Sequence, residues 1–417
     1  AAALASLLIF PQRFLYSMGL GGVLVTLVAM ATSLIALPAL LVLLGERVNA
    51  ASPVRWKRAV ERTARQEQGG AWYRIARFVT RRPLLIALAS GAVLIAAGLP
   101  ALGIKFTGTS ATDLPSNSKI RQVDDALARE FPPNRTAPIQ VAVRAPRSEQ
   151  SRVRAYAQGL GSLPHVAAVT PPSYLGRGVW QIDVVSRSAP LDERSQSLVR
   201  DIRSRGGPFP ISAAGQSAAF VDQQHSLASR LPLGMLLLAS LTLMILFLLT
   251  GSVVLPLKSL LMNVLTLSAA FGLLVVIFQD GNFQGPLGFT SQGALESTQP
   301  ILLAVIVFGL STDYAVFLLA RIKEAHDSGL HNSDAVAVGL ERTGRIVSAA
   351  ALLFCVAIGA FATSKIIFIK EVGVGTALAV IIDATIIRAL LVPSLMALLG
   401  DRNWWAPRTL RRLHERF

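Results

Sequence analysis

Val307-Phe308-Gly309-Leu310-Ser311-Thr312-Asp313-Tyr314-Ala315-Val316-Phe317-Leu318-Leu319 is the stretch on which the fold turns. It lies inside an apolar run, residues 301–320, long enough to cross a bilayer, and Asp313 is the one carboxylate in that run. A charge at membrane depth costs at least about 3 kcal/mol unless it is paired, hydrated or protonated, so an ionisable residue there is a functional candidate. A structural aspartate satisfied by a neighbouring helix is the plainer alternative. Proton or ion coupling is the reading carried forward.

Of the 417 residues 52% are apolar and 15% are charged, a membrane composition. The formal net charge of +16 would suit a nucleic-acid binder, so its placement decides. Segment 46–82 holds ten basic residues against three acidic, and the tail 401–417 holds five against two. Both flank apolar spans, as the positive-inside rule requires of cytoplasmic loops. Basic residues interleaved with stacking aromatics are not found, so no nucleic-acid partner is expected. Cys355 is the single cysteine and reads as a small core residue; the five histidines lack ligand spacing, so no metal is expected.

The ends of the chain repeat one another. Phe14-Leu-Tyr-Ser-Met-Gly-Leu-Gly-Gly-Val-Leu24 resembles Phe368-Ile-Lys-Glu-Val-Gly-Val-Gly-Thr-Ala-Leu378. Leu37-Pro-Ala-Leu-Leu-Val-Leu-Leu-Gly-Glu-Arg47 resembles Val392-Pro-Ser-Leu-Met-Ala-Leu-Leu-Gly-Asp-Arg402. The offset is 354 in the first pair and 355 in the second, a slip of one residue. One repeat this long means two similar halves. Residue 1 then aligns with Cys355, inside a span, and the sequence reads as a fragment lacking most of a first half.

The expected organisation is the end of a first transmembrane half at 1–45, with a truncated helix before a complete one. A basic cytoplasmic linker follows at 46–82, then a membrane helix at 83–104 and a polar block without spans at 105–228. Five more helices occupy 229–400, near 231–250, 257–279, 299–321, 345–364 and 371–399, before the basic cytoplasmic tail at 401–417. Alternation from cytoplasmic linker and tail leaves 105–228 outside. That block shows strands at 138–144, 166–170, 178–185 (after a Leu175-Gly-Arg-Gly178 turn) and 210–214 with helices at 148–160 and 191–204, the β-α-β-β-α-β order of a ferredoxin-like domain, and 220–230 is expected to run on into the next membrane helix.

Two further charges lie at depth in the last helix, Asp383 and Arg388. Five residues apart on an α-helix they project about 140° apart, so each is expected to face a different neighbour or Arg388 to snorkel. On the repeat they fall on Val28 and Ser33, so the first copy lacks both charges. A structural ion pair is the plainer alternative here. Tyr314 can donate to a carboxylate on a facing helix, and it points about 100° away from Asp313, so the two need separate partners. Gly309, Ser311 and Thr312 allow another helix to approach closely, as do the glycines of Met18-Gly19-Leu20-Gly21-Gly22. Ser348, Thr363 and Thr385 are expected to make helix–helix hydrogen bonds. There is no nucleophile elbow, no phosphate loop and no H-E-x-x-H, so no enzyme is expected and no cofactor beyond a proton gradient.

With these residues in view the chain resembles the RND superfamily, and within it the MmpL-type (mycobacterial membrane protein large) transporters. The resemblance rests on Gly251-Ser-Val-Val-Leu-Pro-Leu-Lys258, Ala270-Phe-Gly-Leu-Leu-Val-Val-Ile-Phe278, Phe308-Gly-Leu-Ser-Thr-Asp-Tyr314, Phe317-Leu-Leu-Ala-Arg-Ile322 and Asp383-Ala-Thr-Ile-Ile-Arg-Ala-Leu-Leu-Val-Pro393. It implies an α-helical polytopic membrane protein, an RND-type bundle with an extracytoplasmic α+β ferredoxin-like porter domain, in the cytoplasmic membrane. It implies export of lipids or other hydrophobic cargo, driven by the proton gradient. Asp313 and Tyr314 would be the second Asp-Tyr pair of the proton relay, Asp383 and Arg388 its companions, and Gly309, Ser311 and Ser348 supporting residues. The implied partners are membrane lipids, the hydrophobic cargo and the missing N-terminal half, with homo-oligomerisation open. Ala315 stands where many members carry Glu. A sterol-sensing or regulatory relative and a protein-export accessory of the same superfamily are the alternatives.

Overall fold

The computed structural model describes residues 2–45, 47, 70–131 and 134–414; most of the linker expected at 46–82 and the last three residues of the tail lie outside them. The chain divides into two compact units, Ala1–Lys105 with Pro232–Ala294 and Thr298–Phe417, and Phe106–Leu231 with Leu295–Ser297.

The first unit is helical. Counting the helix that starts in the second unit, seven helices among the described residues are long and apolar enough to cross a membrane: Arg13–Leu44, Pro83–Gly103, Gln216–Thr250, Val254–Gln279, Gln299–Asp327, Asn332–Thr363 and Ile367–Trp404. Gln216–Thr250 is one continuous helix, as expected of 220–230 and the span after it, whereas Asn332–Thr363 starts before the expected 345, because its first turns are polar and carry no hydropathy signal. Backbones pack closely where glycine allows it. A Cβ on Gly272 would lie 1.9 Å from the Ala97 carbonyl oxygen, and one on Gly98 3.2 Å from the Ser268 backbone, so the Pro83–Gly98 and Val254–Leu274 helices cross nearly backbone to backbone. Gly19 and Gly22 likewise face Leu7 and Leu4, a helix contact as expected.

The sequence repeat is also a repeat of shape. Arg13–Ala31 is α-helical, Thr32–Ala36 widens to a π-helix, and Leu37–Leu44 returns to α before Gly45 at φ +47°. The second copy runs Ile367–Ile382, a longer π segment Asp383–Leu391, then Val392–Leu399 and Gly400 at φ +53°.

An amphipathic helix, Ala71–Arg81, packs on the Asn332–Gly359 helix. Glu341, buried, accepts the Tyr73 backbone N–H at 2.8 Å and so satisfies one of the free donors of its first turn. Trp72 lies over Gly344, where a Cβ would come within 2.6 Å of the indole.

The second unit is α+β. Strands β1 Phe106–Thr107, β2 Ile139–Arg144, β3 Val166–Val169, β4 Ser173–Gly176, β5 Val179–Ser186, β6 Ile211–Ala214 and β7 Leu295–Glu296 form two sheets. The larger has the order β3-β5-β2-β6, all antiparallel, which with helices Gln150–Leu160 and Glu193–Arg205 is the ferredoxin-like arrangement. Along β2 the inward residues Ile139, Val141 and Val143 are buried and alternate with exposed ones, the period-two signature that made the strand legible. They pack on Val153, Ala157, Leu160, Leu198, Val199 and Ile202 from the two helices. The sequence reading missed β4, placing only a turn there. Arg177 and Gly178, at φ +51° and +75°, make the tight two-residue link of a β4–β5 hairpin, so the turn residues end a strand.

Candidate functional site: a buried charge cluster among the helices

Ser311, Tyr314, Asp383 and Arg388 meet in the first unit. Arg388 Nε donates to Asp383 Oδ2 at 2.7 Å, and both side chains are only 6% exposed. Its Nη2 donates to the Ser311 carbonyl at 2.7 Å, and its guanidinium lies 5.0 Å from the centre of the Tyr314 ring, over its face. Two of the five N–H donors and the face of the guanidinium are thus used within one neighbourhood.

This pairing corrects the expectation that Asp383 and Arg388 face different ways. That expectation assumed α-helical spacing, whereas Asp383–Leu391 is a π-helix, whose hydrogen bonds run from i to i+5. In such a helix the residue five positions on sits one turn above, so Arg388 stands over Asp383. The repeat held a trace of this geometry. Between the two matched blocks the first copy has residues 25–36 and the second has 379–391, one more. A π turn contains one residue more than an α turn, and the longer π segment in the second copy absorbs it. The one-residue slip therefore coincides with the two charges that the first copy lacks.

Ser311 supplies the next link. Its Oγ is 3.0 Å from Asp383 Oδ1 and 2.7 Å from the Asn263 side-chain oxygen, but one hydroxyl proton cannot serve two acceptors. With the Asn263 amide turned over, its nitrogen, otherwise without a partner, donates to Ser311 Oγ and Ser311 donates to Asp383. The Asp383 carboxylate then receives Arg388 on one oxygen and Ser311 on the other.

Asp313 stands apart from this cluster. It is exposed, on the helix face shared with Gly309, and that face lies against the Ala2–Ala5 segment, since a Cβ on Gly309 would be 3.2 Å from Ala3 Cβ. The close approach expected of Gly309 is present, and Tyr314 and Asp313 do reach separate surroundings. Ser348 is half-buried and makes no hydrogen bond among the described residues, nor does it line the cavity beside the cluster. Thr363 and Thr385 bond carbonyls of their own turns, Ala360 and Ile381, rather than a neighbouring helix.

The cavity is about 30 Å³, enough to admit a water. Asp383, Arg388, Ser311, Asn263 and Lys258 are among the residues that line it. Lys258 and Asn263, on the Val254–Leu274 helix, are the two members that sequence reasoning passed over. Both are polar residues inside an apolar run, the same signal that singled out Asp313. Among the described residues no group of three or more His, Cys, Asp or Glu could hold a metal.

The MMPL family profile matches residues 1–86 and 187–416. The chain belongs to the MMPL family. Among its curated relatives, a membrane protein of Streptomyces coelicolor is 38% identical over the whole of this chain and 57% of its own length. The trehalose monomycolate exporter MmpL3 of Mycobacterium tuberculosis is 32% identical over all of this chain and 48% of its own length. The heme uptake protein MmpL11 of the same organism is 32% identical over 99% of this chain and 43% of its own. The MMPL chain described here thus spans about half the length of the curated relatives it matches. Among solved structures, SecDF, a translocon-associated membrane protein from Thermus, aligns with 95% of this chain and 47% of its own at 15% identity and a TM-score of 0.46. With seven candidate spans and this family, the chain is a multi-pass membrane protein.

Proposed function

We propose that this MMPL chain is part of a proton-driven exporter of lipids or other hydrophobic molecules, seated in the cytoplasmic membrane with 105–228 on the outer side. The observation that carries the proposal is the Asp383–Arg388 pair, buried between helices and bonded to Ser311 and Tyr314. Replacing a buried pair by apolar residues of similar volume is often neutral or stabilising, so retaining one at membrane depth points to work done by the charge. A proton arriving at Asp383 would neutralise the carboxylate and release Arg388 from it. The freed guanidinium keeps its contacts to the Ser311 carbonyl and the Tyr314 ring, both on the Gln299–Asp327 helix, so the change is passed to that helix. Asp313, two residues beyond Ser311 on the same helix, would be a second member of the same relay. The printed names of the relatives include both an exporter of a mycolate ester and a heme uptake protein, so cargo is proposed only as hydrophobic.

The test is gradient-dependent efflux of a fluorescent lipid from vesicles carrying the full-length protein, with and without Asp313→Asn or Asp383→Asn. Loss of efflux in both variants at normal expression and melting temperature is expected. Full gradient-driven efflux in either variant removes that residue from coupling, and in both it overturns the proposal.

A further inference from the structure

Lys258 is 7% exposed, and its Nζ has no hydrogen-bond partner among the described residues and no carboxylate within ion-pair distance. Its side chain nevertheless lines the cavity that Asp383, Asn263 and Ser311 border. An ammonium buried without a partner is costly, whereas an amine facing a cavity with room for a water has one hydrogen-bonding neighbour available. The charged groups that face this space are Asp383 and Arg388 from the π segment; the Gln299–Asp327 helix contributes Ser311 and apolar side chains, and the lysine's own helix adds Ser259, Met262 and Asn263.

The position along the helix gives the arrangement a direction. Ser252, just before the Val254–Leu274 helix, donates to the Asn403 carbonyl at 2.5 Å, so this end of the helix lies beside the start of the basic tail. Asn263, which reaches Ser311, is five residues further along than Lys258, about 7.5 Å deeper. Lys258 therefore occupies the tail-side end of the cavity, and the Asp383 cluster the deeper end.

We propose that Lys258 is the exit group of the proton path, taking the proton from Asp383 through a water in the cavity and releasing it on the tail side. This rests on the reading of the cluster as a proton relay. In the step, the Asp383 carboxyl gives its proton to the water, and the water gives one of its own to the lone pair of the Lys258 amine. The products are a carboxylate, which recovers Arg388, and an ammonium, which loses its proton to water at the tail-side surface; no electrons are transferred. Arginine cannot be deprotonated in proteins, so it preserves the charge at this position but cannot act as a carrier.

The experiment compares proton flux and gradient-driven lipid efflux in proteoliposomes of the full-length protein carrying Lys258→Met, Lys258→Arg or Asp383→Asn. Lys258→Met removes an unpartnered amine from an apolar site and is expected to melt no lower than the wild type, which keeps the test open should the bulkier arginine fail to fold. The expected result is at least a tenfold loss of proton flux in Lys258→Met, and an equal loss in any Lys258→Arg protein that folds. Wild-type flux in Lys258→Met overturns the proposal, and flux retained in Lys258→Arg overturns it too, because a fixed charge would then suffice. If Asp383→Asn is inactive while both lysine variants work, the exit role alone falls. If the wild type shows no gradient dependence, the proton-driven reading falls and the exit role with it.

Discussion

Replacing Arg388 by methionine removes the 2.7 Å bond to Asp383, the 2.7 Å bond to the Ser311 carbonyl and the cation over the Tyr314 ring at one stroke. The pair is 6% exposed on both sides, so the surface-bridge value of about 0–1 kcal/mol does not apply. Breaking a buried pair from one side leaves the other charge uncompensated, at about 3–5 kcal/mol. Asp383→Leu combined with Arg388→Met deletes both charges while keeping most of the volume, and should recover most of that loss, because apolar replacement of a buried pair is often neutral or better. Equilibrium unfolding of the full-length protein in mixed micelles measures the cycle. The single variant is expected to lose about 3–5 kcal/mol, and the double variant to return to within about 1 kcal/mol of the wild type while remaining inactive in transport. A double variant as unstable as the single one would refute the reasoning, since it would mean that packing and not charge pairing holds the π segment.

Three further outcomes follow from the packing. Gly272→Ala drives a methyl into the Ala97 carbonyl and should cost about 1–3 kcal/mol of folded protein, whereas Gly91→Ala, with open space around it, should be neutral in the same melting assay. Glu341→Ala deletes the acceptor for the Tyr73 N–H, and a loss of about 1 kcal/mol should appear as roughly fivefold faster amide exchange across Ala71–Arg81. In the porter-like unit the Tyr156 hydroxyl is buried without a partner, and burial holds its ionisation above the ordinary value against the pull of Arg205. A raised folded value for an acid means that the unfolded chain ionises first. Stability should therefore fall as pH rises above about 10, and Tyr156→Phe should flatten that fall and be neutral or stabilising at pH 7.

Much of the membrane architecture could be read from residues. Apolar runs of bilayer length gave the seven spans, and period-two alternation in Ile139–Arg144 gave the porter sheet. Polar first turns hid the true start of Asn332–Thr363, because hydropathy is silent where a helix leaves the apolar phase. At the site, composition found Asp313, Asp383 and Arg388, since a charge in an apolar run is conspicuous. Their pairing was misread because hydrogen-bond register is a backbone property that residue types do not declare. Only the slip in the repeat hinted at the π turn, and it could be interpreted only once the π segment had been seen. Lys258 carried the same signal as Asp313 but sat near a helix end, where a lysine looks like a snorkelling surface residue until its burial is known.

The most direct measurement is proton uptake by proteoliposomes of the full-length protein under an imposed gradient, followed with an entrapped pH indicator as hydrophobic cargo is added. Cargo-stimulated uptake that disappears in Asp383→Asn, with the variant melting as a folded protein, is the predicted result. Uptake that persists unchanged in Asp383→Asn would contradict a relay built on the Asp383–Arg388 pair.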